Sequence, residues 1–143
     1  MLPAKPVDAS KVIVAEVSKP QTRDIQVKDY EPITDSQNVS RFVSDYFADI
    51  PILARIALCE SRDRQYDSNG NVLRGEKNKH DVGVMQINEL YHLDDSTNFG
   101  ADIYTIQGNV AFARHLYEKQ GAKPWMSSSA CWSKPSEQVL ARS

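Results

Sequence analysis

The stretch Pro51-Ile52-Leu53-Ala54-Arg55-Ile56-Ala57-Leu58-Cys59-Glu60-Ser61 decides the fold. Asp49 just before it is a good N-cap, and proline is tolerated in a first helical turn, so a helix is predicted to begin here. Ile52, Leu53, Ile56 and Ala57 fall on one face of it, and Cys59, Glu60 and Ser61 lie at its C-terminal end. A carboxylate beside Ile56, Ala57 and Cys59 is partly desolvated. Desolvation disfavours the charged form, and so does the negative end of a helix dipole, so the pKa of Glu60 is expected to rise. A carboxylic acid that stays protonated near neutral pH can donate a proton. The plain alternative is a surface Glu at a frayed helix end.

Working upstream, Asn38 or Ser36 can cap an earlier helix carrying Val39, Phe42, Val43, Tyr46 and Phe47. Working downstream, Asn69-Gly70 is a favoured two-residue turn, flanked by the β-prone pairs Gln65-Tyr66 and Val72-Leu73, which predicts a small hairpin or irregular β-lobe. Gly83 to Leu90 reads as a short buried helix. Asp102 to Gln120 is the strongest helix: Ile103, Ile106, Val110, Ala113 and Tyr117 keep helical spacing, and Phe112 and Leu116 widen the stripe. Lys119 in its last turn and Gly121 after it suit a helix end. The expected fold class is mainly α, a helical domain with a small β-hairpin lobe.

Pro3, Pro6, Pro20 and Pro32 interrupt any helix before this domain. The run Val12 to Val17 could form a short strand, with no clear partner. The organisation expected is an N-terminal arm or linker over 1–37, a domain over 38–132, and a tail over 133–143, with the arm read as a linker rather than as chain wrapped on the domain.

With 143 residues, 41% apolar and 25% charged, the chain has ordinary globular usage, which excludes a wholly disordered chain and a coiled-coil rod. No apolar run approaches the roughly 18 residues of a membrane span. Lys and Arg number 17 against 19 Asp and Glu, so a basic surface for nucleic acid is not indicated. Met1-Leu2-Pro3 carries no legible signal segment, as would a chain beginning after a removed signal. Cys59 and Cys131 are too few for a disulfide-dense scaffold or a cysteine-only zinc site. They are either two buried thiols or one long-range disulfide, and the latter would place the protein outside the cytosol.

Asp81-Val82-Gly83-Val84-Met85-Gln86-Ile87-Asn88 is the second unit with chemical content. Gly83 would let backbone approach a ligand closely. Gln86 and Asn88 offer amide donors and acceptors suited to sugar hydroxyl and N-acetyl groups. Met85 and Ile87 should point into the core. Asp81 is either a second carboxylate or the N-cap of the short helix expected after it.

Taken together, Cys59-Glu60-Ser61, a hairpin, and then Gly83-Val84-Met85-Gln86-Ile87-Asn88 resemble the active-site half of the lysozyme superfamily. In soluble lytic transglycosylases a Glu-Ser pair ends a buried helix and a Gly-x-Met-Gln-Ile run follows. Asp81-x-Gly83-x-x-Gln86-Ile87-Asn88 also resembles the segment of c-type lysozymes that carries their second catalytic carboxylate. Gly108 to Tyr117 resembles the Asn-Ile-x-x-Ala-x-x-Leu helix of the transglycosylases. Cys59 before the Glu and Cys131 after Pro124-Trp125 resemble the resuscitation-promoting factors. The resemblance covers residues 40 to 132, and each motif in it is short.

It implies a lysozyme-like fold with an active-site cleft, a disulfide joining Cys59 and Cys131, and action outside the cytosol on the glycan strands of peptidoglycan. Glu60 would protonate the β-1,4 oxygen between N-acetylmuramic acid and N-acetylglucosamine. Ser61 would sit beside it, Gln86 and Asn88 would bind sugar, and Tyr104 and Tyr117 could stack on sugar faces, with core packing an equal alternative for Tyr117. If Asp81 reaches the opposite face of the sugar, two carboxylates flank the bond and hydrolysis follows. If not, Glu60 works alone and a 1,6-anhydro product forms. The longer helix match favours the transglycosylase. Neither route needs a metal or an organic cofactor, and a monomer is expected. A lysozyme-like module that binds glycan or a partner protein without cleaving it is the alternative of another class, and Glu60 with Gln86 argues against it.

Other features carry less. Asp67-Ser68-Asn69-Gly70-Asn71 faintly resembles a calcium loop, but its Gly comes too early and no Glu follows at the bidentate position. His80, His92 and His115 lack a common metal-ligand spacing, so surface or core packing is expected of each. Ser127-Ser128-Ser129 has no GxSxG context for a nucleophile. Lys77-Asn78-Lys79-His80 reads as a solvated loop.

Overall fold

The structure is a computed structural model that describes residues 24–134. The possible strand at Val12 to Val17, most of the arm and most of the tail lie outside the described residues. Five α-helices are described: α1 (Ser36–Tyr46), α2 (Pro51–Ser61), α3 (Glu89–Phe99), α4 (Ile106–Gln120) and α5 (Ser129–Trp132). One antiparallel pair joins β1 (Asp81–Val82) to β2 (Ile87–Asn88), in the register Asp81 with Asn88 and Val82 with Ile87. The chain is mainly helical with a small sheet, as its periodicity predicts. Among the described residues no helix is long and apolar enough to cross a membrane.

The α1 start differs from expectation. Asp35, not Ser36 or Asn38, is the cap, and its carboxylate accepts from Gln37 N at 2.8 Å. Asn38 instead donates to the Pro32 carbonyl at 3.0 Å. Val39, Phe42, Val43 and Tyr46 turn inward as the spacing requires. Asp49 does not cap α2. Its carboxylate is taken by the Arg114 guanidinium at 2.8 and 3.0 Å, and α2 starts at Pro51, whose fixed φ already suits a helix. The segment ahead of α1 belongs to the packed body. Ile25, Tyr30 and Ile33 are buried, Tyr30 stands edge-on to Phe42 at 5.5 Å, and its hydroxyl donates to Asp45 at 2.6 Å.

The largest correction falls on residues 83–90. Instead of a short helix they form the turn of the β1–β2 hairpin, strand β2 and the first residues of α3. Gly83 and Gln86 both take positive φ, at 77° and 52°, which no right-handed helix accommodates. A Cβ at Gly83 would also collide with the Asn109 side chain. The irregular β-lobe expected around Asn69-Gly70 also forms, with Gln65-Tyr66 facing Val72-Leu73 and Leu73 N donating to the Gln65 carbonyl at 2.8 Å. There, Asp67 Oδ1 accepts from Asn69 N at 2.8 Å and Asn71 N at 3.0 Å, and a wider loop links the bridged pair Tyr66 and Val72. Helix α3 is new: Asn88 caps it through Tyr91 N at 3.0 Å, and Gly100 ends it at φ 93°. Helix α4 starts at Ile106, later than expected, because Thr105 caps it through Gly108 N at 3.0 Å, while Asp102 belongs to the preceding turn.

Phe42, Phe47, Leu53, Ile56, Met85, Ile103, Val110, Phe112 and Trp125 form one continuous core. Met85 and Ile87 point into it, as expected.

Candidate functional site

Glu60 opens onto a pocket of about 220 Å³ that it shares with Asp81, Gln86, Asn88, Tyr91, His92 and Trp125, among others. The end of α2, the β1–β2 hairpin with the start of α3, and the turn Lys123–Ser128 build most of it, with Asn78 from the loop before β1 and Leu116 from α4 completing the lining.

The α2 side is held covalently. Cys59, next to Glu60, is disulfide-bonded to Cys131, with Cα atoms 6.0 Å apart and the two cysteines 72 positions apart in sequence. Glu60 is half-buried, and Ser128 Oγ donates to its Oε2 at 2.6 Å. Burial pushes the Glu60 carboxyl above the ordinary Glu value, the Ser128 hydrogen bond opposes this, and the negative charge of Asp81 adds to it.

The hairpin side is held by buried amides. Gln65 Oε1 accepts from Val84 N at 2.9 Å, and Gln65 Nε2 donates to the Tyr104 carbonyl at 3.2 Å. Asn109 Oδ1 accepts from Met85 N at 2.8 Å, while its Nδ2 donates to the carbonyls of Val82 and Ile103 at 3.0 and 2.7 Å. Backbone groups that a helix would have paired internally are thus paired by two fully buried side chains. Trp125 joins the two sides, its Nε1 donating to the Met85 carbonyl at 2.8 Å.

Asp81 caps no helix. It sits on β1, its Oδ1 accepts from Asn88 Nδ2 at 3.0 Å, and it lines the pocket with Glu60. Gln86 lines the pocket and folds its Nε2 back to the Gly83 carbonyl at 2.9 Å. Asn88 lines it as well. Three residues expected at the site are elsewhere. Ser61 is 2% exposed, and its hydroxyl donates to the Ala57 carbonyl at 3.1 Å and accepts from Arg64 N at 3.2 Å, so it closes the helix end. Tyr104 lines a separate depression with Leu93 and Ile103, and its hydroxyl donates to Glu89 at 2.6 Å. Tyr117 packs half-buried against the core and does not line the Glu60 pocket.

Sequence reasoning missed Ser128, Tyr91 and His92. Nothing local to Ser127-Ser128-Ser129 announces a hydroxyl aimed at a carboxylate 68 positions away. Tyr91 is 79% exposed at the pocket rim. His92 does pack, 5.8 Å from the Phe112 ring, but it also lines the pocket, and burial lowers its pKa. His115 stacks on Phe99 at 4.2 Å. His80 and Arg74 both contact Glu89 at 2.8 Å. With the Tyr104 hydroxyl they hold Glu89 at about 2, Arg74 contributing most. The 77–80 loop is exposed, as expected. Among the described residues no group of three or more His, Cys, Asp or Glu side chains is placed to hold a metal ion.

Comparison with protein families, with curated proteins and with solved structures gives no match.

Proposed function

We propose that this chain is a muramidase of lysozyme-like fold that cleaves the β-1,4 link between N-acetylmuramic acid and N-acetylglucosamine in peptidoglycan, with Glu60 as general acid. The observation that carries the reading is the half-buried Glu60 carboxyl, raised above its ordinary value and facing Gln86 and Asn88 across one pocket. A carboxyl that burial makes hold its proton more tightly than usual is suited to give that proton to a leaving oxygen, and amides can hold the sugar that bears it.

The lytic transglycosylase outcome is the leading one, because the order of the motifs and the α4 sequence favour it. Glu60 gives its proton to the glycosidic oxygen as the C1–O4 bond breaks. It then recovers a proton from the sugar 6-hydroxyl as that oxygen bonds to C1, so no water is consumed. Hydrolysis is the second reading, favoured by Asp81. It lines the same pocket, its charge acts on Glu60, and the Asn88 amide orients it. Two carboxylates around one bond are what a glycoside hydrolase uses. Action outside the cytosol fits the Cys59–Cys131 disulfide.

Digestion of purified peptidoglycan, followed by mass analysis of the released sugars, tests this. Anhydro ends, one water lighter than reducing ends, support the transglycosylase, and reducing ends support hydrolysis. Glu60→Gln should lower the rate by roughly 10²–10⁴-fold while leaving the thermal midpoint unchanged or higher. A Glu60→Gln protein that digests wall at the parent rate sinks the reading.

A further inference from the structure

The shortest side-chain contact of Glu60 comes from a residue outside every motif. Ser128 Oγ is 2.6 Å from Glu60 Oε2, 3.0 Å from the Trp125 carbonyl, and accepts from Trp132 Nε1 at 3.0 Å. A serine hydroxyl has one proton and two lone pairs. The Trp132 N–H occupies a lone pair, so the single proton goes either to Trp125 or to Glu60. The shorter, charge-assisted contact to Oε2 takes it. The Trp125 carbonyl is not orphaned by that choice, because the single Trp132 N–H is shared between Ser128 Oγ and this carbonyl, 3.1 Å from Nε1.

We propose that Ser128 is a positioning residue for Glu60: its hydroxyl donates to Oε2 and leaves Oε1 as the oxygen that passes the proton to and from a bound glycan. The proposal rests on the reading of Glu60 as the acid. Protonation on Oε1 leaves the Ser128 bond in place, so the carboxyl need not rotate between giving a proton and recovering it, and little reorganisation accompanies the reaction.

Donor and acceptor are held by more than their own contact. Ser128 ends the Lys123–Ser128 turn and leads into α5, where Cys131 is bonded to Cys59, the neighbour of Glu60. Arg55 Nε, on α2, donates to the Trp132 carbonyl at 3.3 Å. The buried Trp125 fastens the same turn to the hairpin. A donor to a carboxylate favours its ionised form, so Ser128 opposes the effect of burial and keeps the acid able to release its proton. The other titratable and charged groups around this arrangement are Asp81 from β1, Tyr91 and His92 from α3 and Arg55 from α2, and the variants below leave all four in place.

The test uses Ser128→Ala and Ser128→Thr in the full chain. The Glu60 side-chain carboxyl is titrated by NMR with isotope-labelled glutamate, and peptidoglycan digestion is followed against pH. In Ser128→Ala the Glu60 titration should move to higher pH, and the alkaline limb of the activity profile should move with it. At the optimum kcat should fall about tenfold or more while KM stays within about twofold. Ser128→Thr keeps the hydroxyl and should stay near the parent in both. An unshifted Glu60 titration in Ser128→Ala overturns the proposal, as does an equal loss of activity in the Thr variant, which would make the role one of packing. Loss of activity in Glu60→Gln with no effect of Ser128→Ala rejects Ser128 alone. Full activity in Glu60→Gln rejects the cleavage reading and the positioning role with it.

Discussion

The two sides of the Glu60 pocket are held by different means. The α2 side is tied by a covalent bond next to Glu60 and by a hydroxyl on the Glu60 carboxyl itself. The hairpin side is laced by Gln65 and Asn109, whose amides pair with backbone at both ends. The contrast teaches how a short segment can be kept in a shape its own sequence does not dictate. Two residues with positive φ and unpaired amides around 83–86 persist because distant side chains satisfy them. A regular helix such as α2 needs no such help, only fastening at its end.

That comparison can be broken most forcefully at the disulfide. Replacing both cysteines, as Cys59→Ser with Cys131→Ser, removes a link across 72 residues and should cost about 4 kcal/mol by loop entropy. Amide exchange should then quicken over residues 123–132 more than over 82–88. Equal quickening would mean that the two sides are one unit. Asn109→Ala should come next, at about 3 kcal/mol, since it strands a buried N–H and two carbonyls. Its loss should appear in the denaturant midpoint, with exchange concentrated at the hairpin.

The smallest effect sharpens the contrast in another way. The amides of the hairpin side are satisfied, but Asp63, just past α2, is 7% exposed and its Oδ1 has no hydrogen-bond partner among the described residues. Burial raises it from 3.8 to about 6, with the Ser40 hydroxyl opposing. The folded state therefore holds this proton more tightly than the unfolded chain does. The contribution to stability is fully present below about pH 4 and is lost as pH rises through about 6. Asp63→Asn should flatten the fall in stability between those values by about 2 kcal/mol. Urea midpoints measured at both ends of that window check it, and parallel curves for parent and variant would remove Asp63 from the account.

The same contrast explains what the sequence made legible. Helices α1, α2 and α4 are readable because apolar residues recur at helical spacing, although the starts of α1 and α4 and the cap of α2 are misread through competition among nearby polar residues. Asp49 looked like a cap and went to Arg114 on another helix. Glu60 was readable because its neighbours in sequence are also its neighbours in space. Asp81, Gln86 and Asn88 were readable as a group, but their hairpin was taken for a helix, since its shape depends on Gln65 and Asn109, which carry no local signal. Ser61 was misplaced because adjacency along a helix does not mean a shared face. Ser128 was missed because only tertiary folding brings it to Glu60.

Trp125 and Trp132 are the chain's two tryptophans, and both are buried within the segment that carries Ser128. All indole emission therefore originates beneath the Glu60 carboxyl, where one ring N–H reports on the Met85 carbonyl and the other on Ser128. Excited at the red edge of the indole band, where the six tyrosines do not absorb, the molecule carries a built-in optical probe of this segment. Glycan titrations, the Ser128 variants and opening of the disulfide can all be followed by fluorescence without attaching a dye.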